Sequence, residues 1–152
     1  MAEECKKRSQ CFLYASNFSI GVNIFFQINQ LLARLMNNFD DYNPEIGEIH
    51  HTQKKDAPSG TAITLANQII EQLDRKTKWT MDAPAVEEIP VKAVRENNVP
   101  GIHTITWDSN VDYITIKHSA KSRQGFALGA VLAAEFCKDK KGVFTMNDLL
   151  NL

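Results

Sequence analysis

Apolar residues recur along this 152-residue chain with two different periods. After Gly21, a helical spacing appears at Ile24, Ile28, Leu31, Leu32 and Leu35. A second run with the helical period follows Ser59, a good N-cap residue, and comprises Ala62, Ala66, Ile69 and Leu73. These patterns predict two helices, the second beginning after Pro58.

Other segments are rich in β-branched residues and alternate with a period of two. Short strands are predicted in CFLYAS and PEIGEIHH, and longer strands in EEIPVKAVREN, GIHTITWDS and VDYITIKHS. Asp108, Ser109 and Asn110 are turn residues between the last two strands. Alternation sends residues such as Ile105 and Trp107 to one face of the predicted sheet.

The C-terminal part predicts two further helices. Residues 124–138 include FALGAVLAAEF, which is apolar nearly all round, so this helix should be well buried. Gly125 and Gly129 would allow another element to approach it closely. The closing GVFTMNDLLNL predicts a short helix capped near Thr145. The order of elements indicates an α+β fold in which helices cover a mixed β-sheet.

Composition narrows the class of protein. Hydrophobic residues make up 43% and charged residues 23%, as in soluble globular proteins. A net charge of −1 gives no reason to expect nucleic acid or an anionic membrane as a partner. The three cysteines lack CxxC spacing, and the polar N-terminus lacks an export signal. These features predict free thiols and a cytoplasmic location.

One segment, residues 48–62, concentrates chemically useful side chains. The first backbone N–H groups of a helix bind anions because they lack intrahelical partners and the helix dipole adds positive charge. Here those groups belong to Gly60, Thr61 and Ala62, and Lys54 could add a full charge. A carboxylate would suit the site, since charge-assisted hydrogen bonds contribute about 1.5–3 kcal/mol each. A capped helix beside a solvated loop would explain the same residues without a ligand.

The histidines also allow two interpretations. His50 and His51 have the pKa range that suits proton transfer near neutral pH. Neighbouring residues of a strand point to opposite faces, so both histidines can line one pocket only if the strand has ended. Otherwise one is exposed and the other is structural. His103 and His118 fall in predicted strands, where a structural role is favoured. The four histidines have no familiar metal-ligand spacing, so no metal is predicted.

A family resemblance extends these observations. The run HHTQKKDAPSGTA resembles the signature of dihydrodipicolinate reductases. ASNFSIGVNIFF, HSAKSRQGFALGAVLAAEF and GVFTMNDLLNL are also similar to segments of that family, so the resemblance covers the chain from about Phe12 onward.

The resemblance implies roles for individual residues. In the family, NADH or NADPH delivers a hydride to a small cyclic dicarboxylate, and a donated proton completes the reduction. His50 matches the general acid, and Lys54 is assigned with it to the catalytic group. His51 and Lys54 match residues around a substrate carboxylate, to which Gly60 and Thr61 would donate hydrogen bonds.

Other matched residues lie outside the signature. Asn17 and Phe18 match a hinge near the nicotinamide, and Arg123 matches an arginine near a domain junction. Asp56 is expected to order its loop or to orient Lys54.

The chain departs from the family pattern in one respect. None of its seven glycines forms the G-x-G-x-x-G turn of an N-terminal dinucleotide-binding (Rossmann) domain. We therefore expect neither NADH nor NADPH to bind well, and no reductase activity from this chain alone. Residues 1–16 are assigned to the end of the cofactor domain, 17–122 to substrate binding and oligomerisation, and 123–152 to a helical segment that would pack on the cofactor domain.

The resemblance also implies a homo-oligomer, a tetramer in the family. Without the cofactor domain, the helix around residues 127–136 would lose part of its cover and expose apolar surface. Two alternatives remain open: a non-catalytic oligomerisation or dicarboxylate-binding module, and a generic anion-binding domain with an accidental motif match.

Overall fold

The structure is a computed structural model, and it describes residues 2–152. Its helices are α1 (Ala2–Arg8), α2 (Ile20–Met36), α3 (Gly60–Gln72), α4 (Gln124–Cys137) and α5 (Met146–Leu150). Its strands are β1 (Cys11–Leu13), β2 (Asn43–His50), β3 (Lys78–Thr80), β4 (Glu88–Arg95), β5 (Ile102–Asp108), β6 (Tyr113–Ser119) and β7 (Gly142–Phe144). This content confirms the predicted α+β class. None of the helices within residues 2–152 combines the length and apolarity that crossing a bilayer requires.

The chain divides into two compact units, and α2 contributes residues to both. The larger unit is Phe25–Lys121, and the smaller unit combines the described residues up to Ile24 with Ser122–Leu152.

The larger unit contains a five-stranded mixed sheet in the order β3-β4-β2-β5-β6. β2 pairs in parallel with β4 and antiparallel with β5, so it lies at the centre. β5 and β6 form the predicted antiparallel hairpin. One face of the sheet buries Ile46, Ile105 and Trp107 completely, as the alternation predicts. Burying such a side chain contributes about 1.5–3 kcal/mol, so this face is a main source of the unit's stability.

α3 supplies buried residues to the same unit. Leu65, Ala66 and Ile69 are completely buried, and the helix contacts β2, β3 and β4. Its N-cap is Ser59, as predicted.

α2 buries a different face from the one that its most regular apolar spacing suggests. Its buried apolar residues are Val22, Phe25, Phe26, Ala33 and Met36. The regularly spaced residues Ile24, Ile28, Leu31 and Leu35 are 45–54% exposed. Periodicity identified the helix correctly but did not identify the side that packs.

The smaller unit pairs β1 in parallel with β7. In α4, Gly129 is buried against the backbone of Phe18, where an added Cβ would lie 1.8 Å from the carbonyl oxygen. The prediction of a close approach at this glycine is confirmed. The prediction that α4 is well buried is wrong, because Leu128 and Val131 are more than half exposed. An apolar sequence shows that a helix could be buried on every side. The elements that pack against it determine which sides are in fact buried.

α5 begins with the predicted cap. The Thr145 backbone N–H donates to the Asp148 carboxylate at 2.7 Å, completing a capping box. Three short elements, α1, β3 and β7, were not predicted, because each is too short to show a clear period.

Candidate functional site

The candidate site is built at the end of the central strand. Alternation along β2 buries Glu48 and His50 on the same face. The strand ends at His50, so the constraint that separates neighbouring side chains no longer applies to His51. His50 is 8% exposed, whereas His51 is half-buried.

The loop after β2 holds Lys54 in place. The Lys54 backbone N–H donates to the His51 carbonyl at 3.0 Å, which closes a turn. The Lys54 ammonium donates to both oxygens of Asp56, at 2.8 and 2.9 Å. This pairing lowers the pKa of the Asp56 carboxyl, which therefore stays ionised and orients Lys54 as the sequence predicts.

The start of α3 presents backbone donors beside this loop. The Ser59 hydroxyl accepts the Ala62 N–H at 3.2 Å and so caps the helix. Gly60 is exposed, and an added Cβ there would meet no atom within 4 Å. A ligand can therefore approach the backbone at Gly60. Thr61, in the same first turn, is buried.

Glu48 lies at the centre of the site's hydrogen-bond network. It is 1% exposed, and both of its oxygens accept the Ser59 backbone N–H at 3.1 Å. Arg95 Nη2 donates to Glu48 Oε1 at 3.0 Å. The same guanidinium donates to the carbonyls of Lys54 and Asp56. A single buried carboxylate thus connects β2, the end of β4 and the first residue before α3.

His103 completes the buried network from β5. Its Nε2 lies 3.1 Å from the Ser59 hydroxyl and 3.7 Å from Glu48 Oε2. Its ring meets the His50 ring edge-on at a centroid distance of 5.0 Å. Burial, and then the neighbouring His50, lower the pKa of His103 from 6.5 to about 4, so it is neutral at pH 7.

His50 is held between Glu48 and Gly101. Its Nδ1 lies 3.5 Å from Glu48 Oε2, beyond good hydrogen-bond distance, and this atom is buried without a hydrogen-bond partner in the described part of the chain. A Cβ at Gly101 would lie 3.0 Å from His50 Nε2, so glycine is needed there. Burial lowers the pKa of His50; the Glu48 carboxylate opposes this shift, and Lys54 and Arg95 add to it.

The chain is similar in sequence to a known protein family. Residues 21–150 match the family model described as dihydrodipicolinate reductase, C-terminus. The chain belongs to this family.

Sequence relatives support the assignment. The chain is 59% identical over 149 residues to a 4-hydroxy-tetrahydrodipicolinate reductase of Christiangramia forsetii, covering 98% of this chain and 62% of the relative. It is 43% identical over 154 residues to the enzyme of that name from Methanosarcina acetivorans, covering 99% of this chain and 57% of that relative. The chain thus spans 57–62% of the length of these two relatives.

A solved structure has a similar fold. The dipicolinate-bound dihydrodipicolinate reductase from Paenisporosarcina sp. TG-14 aligns with a TM-score of 0.72 and 24% identity, covering 95% of this chain and 56% of that one. The match supports the fold described above.

The site residues predicted from the family resemblance are divided between the two units of the chain. His50, His51, Lys54, Gly60 and Thr61 all belong to the larger unit, around the end of β2 and the start of α3.

The residues predicted near the cofactor belong to the smaller unit. Asn17 accepts the Ser19 N–H on its side chain at 2.9 Å and precedes α2, as does Phe18. Arg123 is the N-cap residue of α4. Their assignment to cofactor binding stays a prediction.

Three side chains of this network could also supply ligands to a metal ion. Carboxylate and imidazole atoms of Glu48, His50 and His103 lie within 4.8 Å of one another. The Arg95 guanidinium, however, already binds Glu48, and Lys54 adds a second positive charge nearby. A divalent cation would be repelled by both, so the charge pattern favours an anion. The absence of a metal stays a prediction.

The sequence analysis assigned no site role to three residues of this network: Glu48, Arg95 and His103. Glu48 carried a usable signal, because it stands two residues before His50 in an alternating strand and so shares its face. Arg95 and His103 carried none, since their proximity depends on the order of strands in the sheet.

Proposed function

We propose that this chain is the substrate-binding and assembly part of an NADH- or NADPH-dependent 4-hydroxy-tetrahydrodipicolinate reductase of lysine and diaminopimelate biosynthesis. Alone it has no useful reductase activity. The observation that carries this proposal is the buried His50 held beside a capped helix terminus and an oriented Lys54. The family membership and the free cysteines support a cytoplasmic location.

The anion site is assigned to one carboxylate of a small cyclic dicarboxylate. The Gly60 N–H and the Thr61 N–H and hydroxyl would donate to it, with Lys54 adding positive charge and His51 a hydrogen bond. Asp56 holds Lys54 within the site while leaving the ammonium a third donor. The name of the similar solved structure, which has dipicolinate bound, agrees with a dicarboxylate ligand.

His50 is assigned as the proton donor. Burial and two nearby cations lower the pKa of His50, so its imidazolium is a stronger acid than that of an ordinary histidine, which suits proton delivery to a substrate that is becoming more negative. In a complete enzyme the nicotinamide supplies the hydride. The described residues include no glycine-rich phosphate-binding turn, so these residues would not hold the cofactor by themselves.

Calorimetric titration with pyridine-2,6-dicarboxylate tests the substrate site. We expect saturable binding that Lys54→Ala weakens by about tenfold or more, since one charge-assisted hydrogen bond is worth about 1.5–3 kcal/mol. His51→Ala and Thr61→Val should also weaken binding. Lys55→Ala is the matched control, because Lys55 is the adjacent exposed lysine.

Binding that is equally strong in all variants would refute the site. A parallel assay with NADH and NADPH tests the expected inactivity, which normal turnover would contradict.

The exposed face and edge of the sheet support an oligomerisation role, independently of the substrate site. The sheet face opposite the core carries the Thr106–Thr115 pair and exposes Tyr113 and Val94. β6 is an edge strand, so its outer backbone groups are available for pairing. We propose a homo-oligomer, a tetramer by family resemblance, built on this face.

Thr115→Glu would place a charge on that face, in the middle of the edge strand β6. We expect it to lower the mass measured by light scattering after gel filtration. Val111→Glu, in the exposed turn between β5 and β6, is the control and should leave the mass unchanged. A monomeric parent chain would rule out the assembly role.

A further inference from the structure

Glu48 is a fully buried carboxylate to which the proposed chemistry assigns no role. It makes two kinds of contact: hydrogen bonds from the Ser59 N–H and from Arg95, and a close approach to two imidazoles. Buried carboxylates are costly unless they are paired, and a chain that needed only a helix cap at this point could use Ser59 alone.

The sheet register fixes these contacts. His50 lies opposite Arg95 on β4, and Glu48 lies opposite His103 on β5. Cross-strand neighbours on one face have Cβ atoms about 4.5–5.5 Å apart. Glu48 thus has His103 opposite it on β5, while His50 and Arg95 lie two residues further along the same face of β2 and β4.

The tautomer of His50 follows from the same geometry. Its Nδ1 faces the Glu48 carboxylate at 3.5 Å, and its Nε2 lies on the side of Gly101. A proton on Nδ1 would lie near this negative charge, whereas a lone pair there would be repelled by the carboxylate oxygen. Glu48 thus favours the proton on Nδ1 and stabilises the imidazolium that carries protons on both nitrogens.

We propose that Glu48 is a positioning residue, which sets the orientation and protonation of His50 and ties it to the N-terminus of α3. This inference rests on the proposed role of His50 as proton donor. Through the Ser59 amide, the same carboxylate fixes the helix turn that would receive the substrate carboxylate. One side chain therefore sets the spacing between the proton donor and the anion site.

Several charged or titratable groups face His50, and the effect of Glu48 must be separated from theirs. They are Glu48 on the same strand, His51 and Lys54 in the following loop, Arg95 at the end of β4, and His103 on β5. Of these, Glu48 is the one carboxylate. Removing it should shift the titration of His50 in the opposite direction from removing Arg95.

The test is an NMR titration of the His50 imidazole in the whole chain without added dicarboxylate, with the signal assigned through His50→Gln. Glu48→Gln should lower the His50 pKa by about one to three units, the usual effect of an adjacent opposite charge. Arg95→Gln should raise it. Glu48→Asp, which keeps the charge, should restore part of the loss.

Glu45→Gln is the matched control. Glu45 lies on the same strand but on the opposite face, where it pairs with Lys92 at 3.0 Å, so its loss should leave His50 unchanged.

An unchanged or raised His50 pKa in a folded Glu48→Gln variant would overturn the inference. If that variant does not fold, Arg95→Gln decides: a raised His50 pKa supports the electrostatic balance, and an unchanged one overturns it. Because the titration needs no ligand, it can fail while pyridine-2,6-dicarboxylate still binds. That outcome would reject the role of Glu48 and leave the proposed function standing.

Discussion

Acid should destabilise the larger unit through His103. This side chain is 4% exposed, and burial lowers its pKa from 6.5 to about 4. The unfolded chain therefore takes up a proton near pH 6.5, whereas the folded chain takes it up only near pH 4. Between these values the unfolded state binds more protons, so the free energy of unfolding falls as pH falls. The stabilising contribution of neutral His103 is fully present above pH 6.5, the pKa in the unfolded chain. It is lost as the pH falls to about 4, the pKa in the folded chain.

The size of the effect follows from the gap between the two pKa values. Each pKa unit corresponds to about 1.4 kcal/mol, so His103 accounts for about 3 kcal/mol over the whole range. Between pH 7 and pH 5 its share is about 2 kcal/mol. His50 and His118, whose pKa values burial also lowers, act in the same direction and persist when His103 is replaced.

Urea unfolding at pH 7 and pH 5 measures this share, with fluorescence of the completely buried Trp107 as the probe. His103→Gln keeps a polar nitrogen near the position of Nε2 but does not titrate. Its stability should therefore change by about 2 kcal/mol less than that of the parent chain between the two pH values.

Ser59→Ala separates titration from the loss of a hydrogen bond. It removes the partner of His103 and the cap of α3, which should cost about 0.5–2 kcal/mol at both pH values without changing the slope. Equal pH slopes for His103→Gln and the parent chain would refute the reasoning, because they would mean that the buried imidazole titrates normally.

Three other predictions test different parts of the chain. Gly129→Ala should cost about 1–3 kcal/mol or more in urea unfolding, because its Cβ would collide with the Phe18 carbonyl; Gly125→Ala, whose Cβ has ordinary contacts, should not destabilise. Arg75→Lys should cost about 1–3 kcal/mol in the same assay, since lysine cannot reproduce the guanidinium's hydrogen bonds to the carbonyls of Met36, Phe39 and Tyr42. Binding of pyridine-2,6-dicarboxylate should draw protons onto His50 at pH 6–7, because the added negative charge opposes the cations that lower its pKa. Calorimetry in buffers of different ionisation enthalpy would detect this uptake, and a binding enthalpy independent of buffer would contradict it.

Local patterns predicted those parts of the fold that depend on neighbouring residues. The alternation in β5 placed Trp107 in the core, and Ser59 before an apolar helical run marked the start of α3. The signature around His50 and Lys54 pointed to the loop after β2, and the assignment of these residues to a substrate site stays a prediction. Each of these features is set by a few consecutive residues, so a single sequence is enough to find it.

Features that depend on which elements meet could not be predicted in the same way. The spacing of α2 is satisfied by more than one helix face, and the face that packs depends on residues distant in sequence: Asn29 donates to the Leu65 carbonyl of α3, and the Phe25 ring lies 6.0 Å from that of His118. Arg95 and His103 reach the site because β4 and β5 flank β2, an order that no local pattern encodes. Two of the residues around the proposed proton donor, Arg95 and His103, are thus distant from it in sequence.

The same sheet order places charges that would favour the proposed anionic ligand over a metal. Placing β4 beside β2 brings Arg95 to Glu48, and the loop after β2 brings Lys54 near His50. Asp56 offsets Lys54 but is itself exposed, so water screens much of its charge. The network around Glu48 therefore holds one carboxylate, one half-buried guanidinium and two imidazoles, and a proton on His50 makes it positive. A bound carboxylate at the start of α3 would neutralise that excess, so proton donation and substrate binding are linked by charge.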